Sequence, residues 1–239
     1  MDMNRVDFVS NEEIERKAIT LLYSFLHKKG LTEIAAPVPI DEIIPTELGV
    51  DFEIDDLSAM LGEGVLGATW MDGKGRIVVE QALEKDATGR FEFTQAHEVG
   101  HWVLHRQKYI AEQMQTDLFD TGPKKPAVVC RDIGVSNPKK PRGEYQADLF
   151  AGALLMPHDL VRVAYQNTFN LEPLVLGTME HPVNRRDMMQ HPQARQAAKR
   201  ILDEGGFENV SIAAMVVRLN HLGFFKGEPD ATRSLFEMI

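Results

Sequence analysis

Between Phe93 and His105 the chain reads FTQAHEVGHWVLH, which sets His97 and His101 four residues apart with Glu98 directly after the first. On an α-helix that spacing turns the second ring only about 40° from the first, one turn along the axis. Both imidazoles then reach one point, and zinc accepts imidazole nitrogens at about 2.0–2.1 Å. Glu98 falls about 60° beyond His101 on the same side. From there its carboxylate can meet a water at the metal without filling a ligand position. Zinc lowers the pKa of such a water to near 7, and Glu98 would take its proton as the water attacks a carbonyl. These are the parts of the HExxH motif. The competing reading is a core helix whose two histidines are only hydrogen-bonded.

Two imidazoles do not complete a zinc site. The extended pattern HExxHxxGxxH fails here, because Leu104 stands at its glycine position and Gln107 at its third histidine. His105 comes too early, about 80° from His97, and reads as a surface or packing histidine. The better candidate for a third ligand is Glu144, in GEYQADLFAGALLMP, with Asp148 four residues later on the same helical face. A carboxylate at Asp148 that accepts a ring N–H would fix the tautomer and direction of a ligating histidine. The alternative is a pair of solvated acids on an amphipathic helix.

These side chains need elements to hold them. Ser10 and Glu13 have capping-box spacing ahead of an apolar stripe from Ile14 to Leu26, and Gly30 marks the helix stop. A shorter helix follows, limited by Pro45. The alternation in VDFEI predicts a strand, and GVLGATWMDGKGRIVVE predicts a hairpin around Asp72 and Gly73. The histidine helix is expected over about residues 91–107. Gly100 inside it costs about 1 kcal/mol of helix propensity against Ala, which points to close packing against another element. Prolines and glycines bound the segment from 122 to 143, which is expected to be mostly irregular. Helices are expected before and after Pro157, around a break at Pro192, and finally from Ser211 to Gly223.

The formal net charge is -10, which disfavours binding to phosphate backbones by most of the surface. The last helix could read DNA, but Arg218 is its only arginine and it carries no lysine, so a structural role fits better. The segment 122–143 is the exception in charge. It carries Lys124, Lys125, Arg131, Lys139, Lys140 and Arg142 against Asp132 alone. It reads either as a solvated linker or as a dock for an acidic patch on a partner. Cys130 is the sole cysteine, so no internal disulfide forms. It reads as a packed or loop residue, with a thiol switch at the metal as the alternative. The first residues lack the apolar stretch of a signal peptide, and no run is long enough to span a bilayer. The expectation is a cytoplasmic protein with no membrane partner.

The histidine motif followed by EYQADLFAGALLMP resembles the ImmA/IrrE metallopeptidase family, in which HExxH pairs with an ExxA(N/D)xFAxxLLMP helix. GRIVV before the motif and VSIAAMVVRLNHLG after it are also similar to the family's elements. The resemblance spans roughly residues 10–225. It implies an α+β zincin-like fold, with a small twisted sheet, active-site helices and a helical C-terminal half. The expected division is a peptidase core over 1–165 and a helical region over 166–239. By the family pattern, His97, His101 and Glu144 bind zinc, Glu98 is the catalytic acid/base, and Asp148 orients a ligand from behind. The implied activity is gluzincin-like endopeptidase cleavage of a helix-turn-helix repressor, which induces stress, phage or mobile-element, or toxin–antitoxin genes. The alternative is a non-catalytic antirepressor or antitoxin-type binding protein in which zinc is structural.

Overall fold

Ser10 opens the first helix, α1 (Asn11–Lys29), by accepting from the Glu13 amide at 3.2 Å, and Gly30 closes it in the left-handed conformation at φ 68°. Its apolar stripe is buried at Ile14, Ala18, Leu22, Phe25 and Leu26. The next helix is short, as a proline requires: α2 (Ile40–Ile43) passes into a wide π-type turn over Ile44–Leu48 that contains Pro45. The computed structural model describes residues 1–85, 89–116, 125–131, 140–177 and 185–227. They fall into two compact units, Met1–Leu155 and Met156–Ile239.

In the first unit β1 (Asp51–Asp55) leads into α3 (Leu57–Leu61), whose N-cap Asp56 accepts from the Ala59 amide. The hairpin is β2 (Val65–Trp70) and β3 (Arg76–Glu80), closed with Trp70 opposite Arg76. The histidine helix, α4 (Arg90–Thr116), continues well past residue 107. After it comes β4 (Val128–Arg131), where irregular chain was expected. Its β-branched pair Val128 and Val129 is brief, and a strand forms there because β2 offers a free edge. The sheet order is β1-β3-β2-β4, with β1 parallel to β3 and the other pairings antiparallel. β1 lies at the other edge, and its apolar side is only partly covered: Ile54 is exposed.

The two sheet faces are distinct. A register shift between Val65 and Gly67 places Val65 with Ala68, Trp70, Val78 and Leu57 in one apolar cluster. Gly67 and Thr69 face the other way, onto α4. Behind α4 lies α5 (Arg142–Leu155), which also packs on α1. The two helix backbones nearly touch at Gly100, where an added Cβ would stand 3.1 Å from the Ala147 Cα and 3.1 Å from its carbonyl oxygen. That close approach is why the helix keeps a glycine despite its low propensity.

The second unit holds α6 (His158–Phe169), β5 (Leu174–Leu176), α7 (Arg185–Gln190), α8 (Pro192–Gly205), α9 (Ile212–His221) and β6 (Phe225–Gly227). Pro192 begins α8 at a position where a proline costs no hydrogen bond. Ser211 caps α9 by accepting from the Ala214 amide at 3.1 Å. Strands β5 and β6 pair in parallel, a pairing absent from the sequence reading. Buried Tyr165 holds their base: its hydroxyl shares its one proton between the Glu172 and Phe224 carbonyls and accepts from the Leu174 amide. Arg218 of α9 is buried and donates from Nε to the Met156 carbonyl at 2.9 Å. A nucleic-acid contact would require it outside. The architecture is α+β, and no helix among the described residues is long and apolar enough to cross a membrane.

Candidate metal centre

The middle of α4 is buried on more than one side, because the sheet covers one flank and α5 the other. His97, Glu98 and His101 are therefore all inaccessible, at 2%, 0% and 0% exposure. The i, i+4 spacing brings His97 Nε2 within 3.0 Å of His101 Nε2. α5 adds Glu144 from its first turn, with Oε2 3.3 Å from His97 Nε2 and Oε1 3.4 Å from His101 Nε2. Two imidazole nitrogens and a carboxylate thus surround one point, with the ligand atoms within 4.8 Å of one another.

The partners on the far side of each ring determine what those nitrogens are. His97 Nδ1 lies 3.0 Å from Asp148 Oδ1, and a carboxylate can only accept, so Nδ1 carries a proton and Nε2 is the nitrogen that a metal can take. Lys140 supports Asp148 from behind, with Nζ 2.6 Å from Oδ2. His101 Nδ1 faces His105 Nδ1 at 3.1 Å. Two imidazole Nε2 atoms and an anionic carboxylate pointed at one another in a dry interior fit a divalent cation that accepts N and O ligands, zinc among them.

The two glutamates are driven in opposite directions. Burial pushes Glu98 up to about 7, opposed by the charge of His97 and a hydrogen bond from Thr69. Burial would also raise Glu144, but hydrogen bonds from His101 and His97 outweigh it and hold that carboxyl far below the usual range. One carboxylate is therefore poised to exchange a proton and the other to stay ionised, a division of roles seen where acid–base work and charge stabilisation share a site. Burial likewise opposes charge on Asp148 and on His97. For Asp148 the His97 hydrogen bond and Lys140 reverse it and lower the pKa; for His97, Cys130, Asp148 and Glu144 reverse it and raise the pKa. His101 is lowered by burial, and His105 is lowered by burial and by the charge of His101 to about 4, so it is neutral near pH 7.

Glu98 has its own mount. Thr69 on β2 donates its hydroxyl to Oε2 at 2.5 Å, while Oε1 is buried with no hydrogen-bond partner among the described residues. Gly67 makes room, since a Cβ there would lie 2.5 Å from Oε1. Directly opposite Gly67, Cys130 of β4 brings its thiol within 4.8 Å of ligand atoms of His97 and Glu98. Burial pushes that thiol up.

The five residues singled out from the sequence, His97, Glu98, His101, Glu144 and Asp148, are thus brought together. Thr69, Gly67 and Lys140 join them without a local signal, since each acts across elements. His105, expected as a surface or packing histidine, is buried, and its ring meets His101. Its spacing of four from His101 carried that information, which comparison with His97 alone missed.

Comparison with curated proteins finds no similar chain. Residues 46–174, more than half of the chain, match the sequence model of peptidase family M78, described as the IrrE N-terminal-like domain. The matched span contains both metal-facing helices and the strand that carries Thr69. By that match the protein belongs to the M78 family of IrrE-type metallopeptidases.

Proposed function

We propose that the protein is a zinc-dependent endopeptidase of the cytoplasm whose substrate is a helix-turn-helix transcriptional repressor, and that its cleavage induces stress, phage or mobile-element, or toxin–antitoxin genes. The observation that carries the enzymatic part is the mount of Glu98. A purely structural metal site has no use for a buried carboxylate tethered at one oxygen by Thr69 and unpartnered at the other. The repressor follows from the family resemblance.

His97, His101 and Glu144 would hold the ion, and Asp148 would orient the first of them. Bound there, zinc would supply a Lewis acid for a peptide carbonyl and for water. Glu98 Oε1 would take a proton from the water as its oxygen bonds to the carbonyl carbon, and then return it to the amine nitrogen as the peptide C–N bond breaks. Thr69 keeps the carboxylate aimed through this exchange. The surrounding apolar packing excludes bulk water, which strengthens each of these interactions.

The test separates catalysis from binding. Glu98→Gln should retain the metal and the fold, yet cleave a purified repressor partner about 10²–10⁴-fold more slowly. His97→Ala and Glu144→Ala should lose most of the bound zinc, measured at about one ion per chain in the wild type. If Glu98→Gln relieves repression as well as the wild type, the protein is a binding antirepressor with a structural zinc.

A further inference from the structure

His97 is oriented by a carboxylate in direct contact, whereas His101 reaches a backbone carbonyl only through two intervening side chains. Gln146 Nε2 lies 3.0 Å from the Asp7 main-chain oxygen, His105 Nε2 lies 3.0 Å from Gln146 Oε1, and His105 Nδ1 lies 3.1 Å from His101 Nδ1. All three side chains in this line are buried, His101, His105 and Gln146 alike. We infer that His105 and Gln146 are positioning residues that set the proton on His101 Nδ1 and so keep its Nε2 bare for the metal.

For a His101 that ligates through Nε2, the polarity of the chain has one solution. A main-chain carbonyl only accepts, so the Gln146 amide nitrogen faces Asp7 and its oxygen faces His105. That oxygen also only accepts, so His105 carries its proton on Nε2. A His101 that ligates through Nε2 carries its own proton on Nδ1, and His105 Nδ1, the ring nitrogen not turned to Gln146, is the atom placed to accept it. His101 Nε2 is left without one, aimed at the point it shares with His97 and Glu144. With the opposite polarity, His101 would direct an N–H at that point and could not ligate. The assignment comes from the hydrogen-bond partners, which is the basis on which tautomers are assigned when protons are not seen.

The line begins in the N-terminal segment, which is fastened to the start of α5. The Gly143 amide donates to the Met3 carbonyl at 2.9 Å, Arg142 donates to the Val6 carbonyl, and Lys108 pairs with Asp7 at 2.8 Å. Asp7 is thereby held at one place against Gln146. The first residues of the chain thus contribute to the metal site without approaching it.

The inference rests on the reading of His97, His101 and Glu144 as metal ligands, and its test uses zinc affinity and ring protonation in the full chain. His105→Leu removes the acceptor of the His101 proton. His105→Asn restores it, because an asparagine oxygen occupies the place of a histidine Nδ1. Gln146→Met keeps the shape of the glutamine and removes both of its polar ends. By competition with a chromophoric chelator, His105→Leu and Gln146→Met should bind zinc about 10–100-fold more weakly, and His105→Asn should recover most of the loss. Long-range ¹H–¹⁵N correlation spectra of the zinc-free protein should show His101 protonated at Nδ1 in the wild type and in His105→Asn, and a tautomer mixture in Gln146→Met. Zinc binding that collapses in Glu144→Ala but is unchanged in His105→Leu and Gln146→Met overturns the relay and leaves the metal site standing. Zinc binding unchanged in all of them overturns the metal site and the relay with it.

Discussion

Glu98 illustrates how much one side chain depends on a neighbour from another element. Its carboxylate sits in a dry pocket, and the hydroxyl of Thr69 is the donor that favours its ionised form. A general base must be ionised to accept a proton, so the low-pH limb of kcat/KM follows its pKa. Thr69→Val removes the donor at nearly constant shape. The carboxylate loses a charge-assisted hydrogen bond worth about 1.5–3 kcal/mol. The pKa rises, and the acidic limb should move to higher pH by about one unit. Zinc content should stay as in the wild type, since Thr69 touches no ligand. A pH–rate profile that does not move, measured beside unchanged metal content, would show that Thr69 only fills space.

At the scale of elements, the site exists because α4 and α5 approach closely enough for Glu144 to meet two histidines on the other helix. Gly100 sets that approach. Gly100→Ala improves helix propensity by about 1 kcal/mol, but it pushes a methyl group against the Ala147 backbone, and overpacking of this kind costs about 1–3 kcal/mol. The nearest atoms are the Ala147 Cα and carbonyl oxygen and the Phe150 Cβ, all fixed to the α5 backbone, so relief requires one helix to shift. The net effect should be a loss of stability of up to about 2 kcal/mol in denaturant unfolding, and the variant should bind zinc more weakly because Glu144 moves with α5. A more stable protein with full zinc affinity would show that the helices have slack at this crossing.

Across the whole molecule, net charge and local charge have opposite signs. The chain carries -10, while the segment 122–143 holds six of its cations. Three of the six are engaged within the protein. Arg131 donates to the Glu63 and Leu61 carbonyls, Arg142 to Val6, and Lys140 to Asp148. Lys124 and Lys139 lie outside the described residues, and Lys125 is exposed. If the segment docks an acidic partner, as one reading of its charge has it, the steering would fall to Lys124, Lys125 and Lys139. Changing these three to Ser should raise the apparent KM at low salt and flatten its salt dependence, with zinc content unaltered. Lys140→Ser alone should instead weaken zinc binding, because Asp148 loses its cation. Unchanged cleavage by the triple variant at low ionic strength would reduce the segment to a connector.

What could be read directly from the order of residues is what a helix or hairpin decides locally. His97 and His101 share a face because four residues make nearly a full turn, and Glu144 and Asp148 share one for the same reason. The Ser10 and Ser211 caps, the Asp72–Gly73 hairpin and the break at Pro192 are likewise short-range. Beside the histidine motif, the spacing of Glu144 and Asp148 made Glu144 the better candidate for a third ligand, with a pair of solvated acids as the alternative, and the family pattern linked it to the histidines. The remainder needed the fold. β4 and the β5–β6 pair are strands only because a partner edge exists, and short β-branched runs among prolines and glycines do not announce one. His105 was read as a surface or packing histidine because it points about 80° away from His97. That direction leads to solvent on a helix covered along one stripe, and here it leads to Gln146 on α5. Periodicity tells which residues of one element lie together, but the environment on each side is set by long-range burial. Only the tertiary structure could therefore show that a histidine off the metal-facing direction completes the hydrogen bonding of one on it.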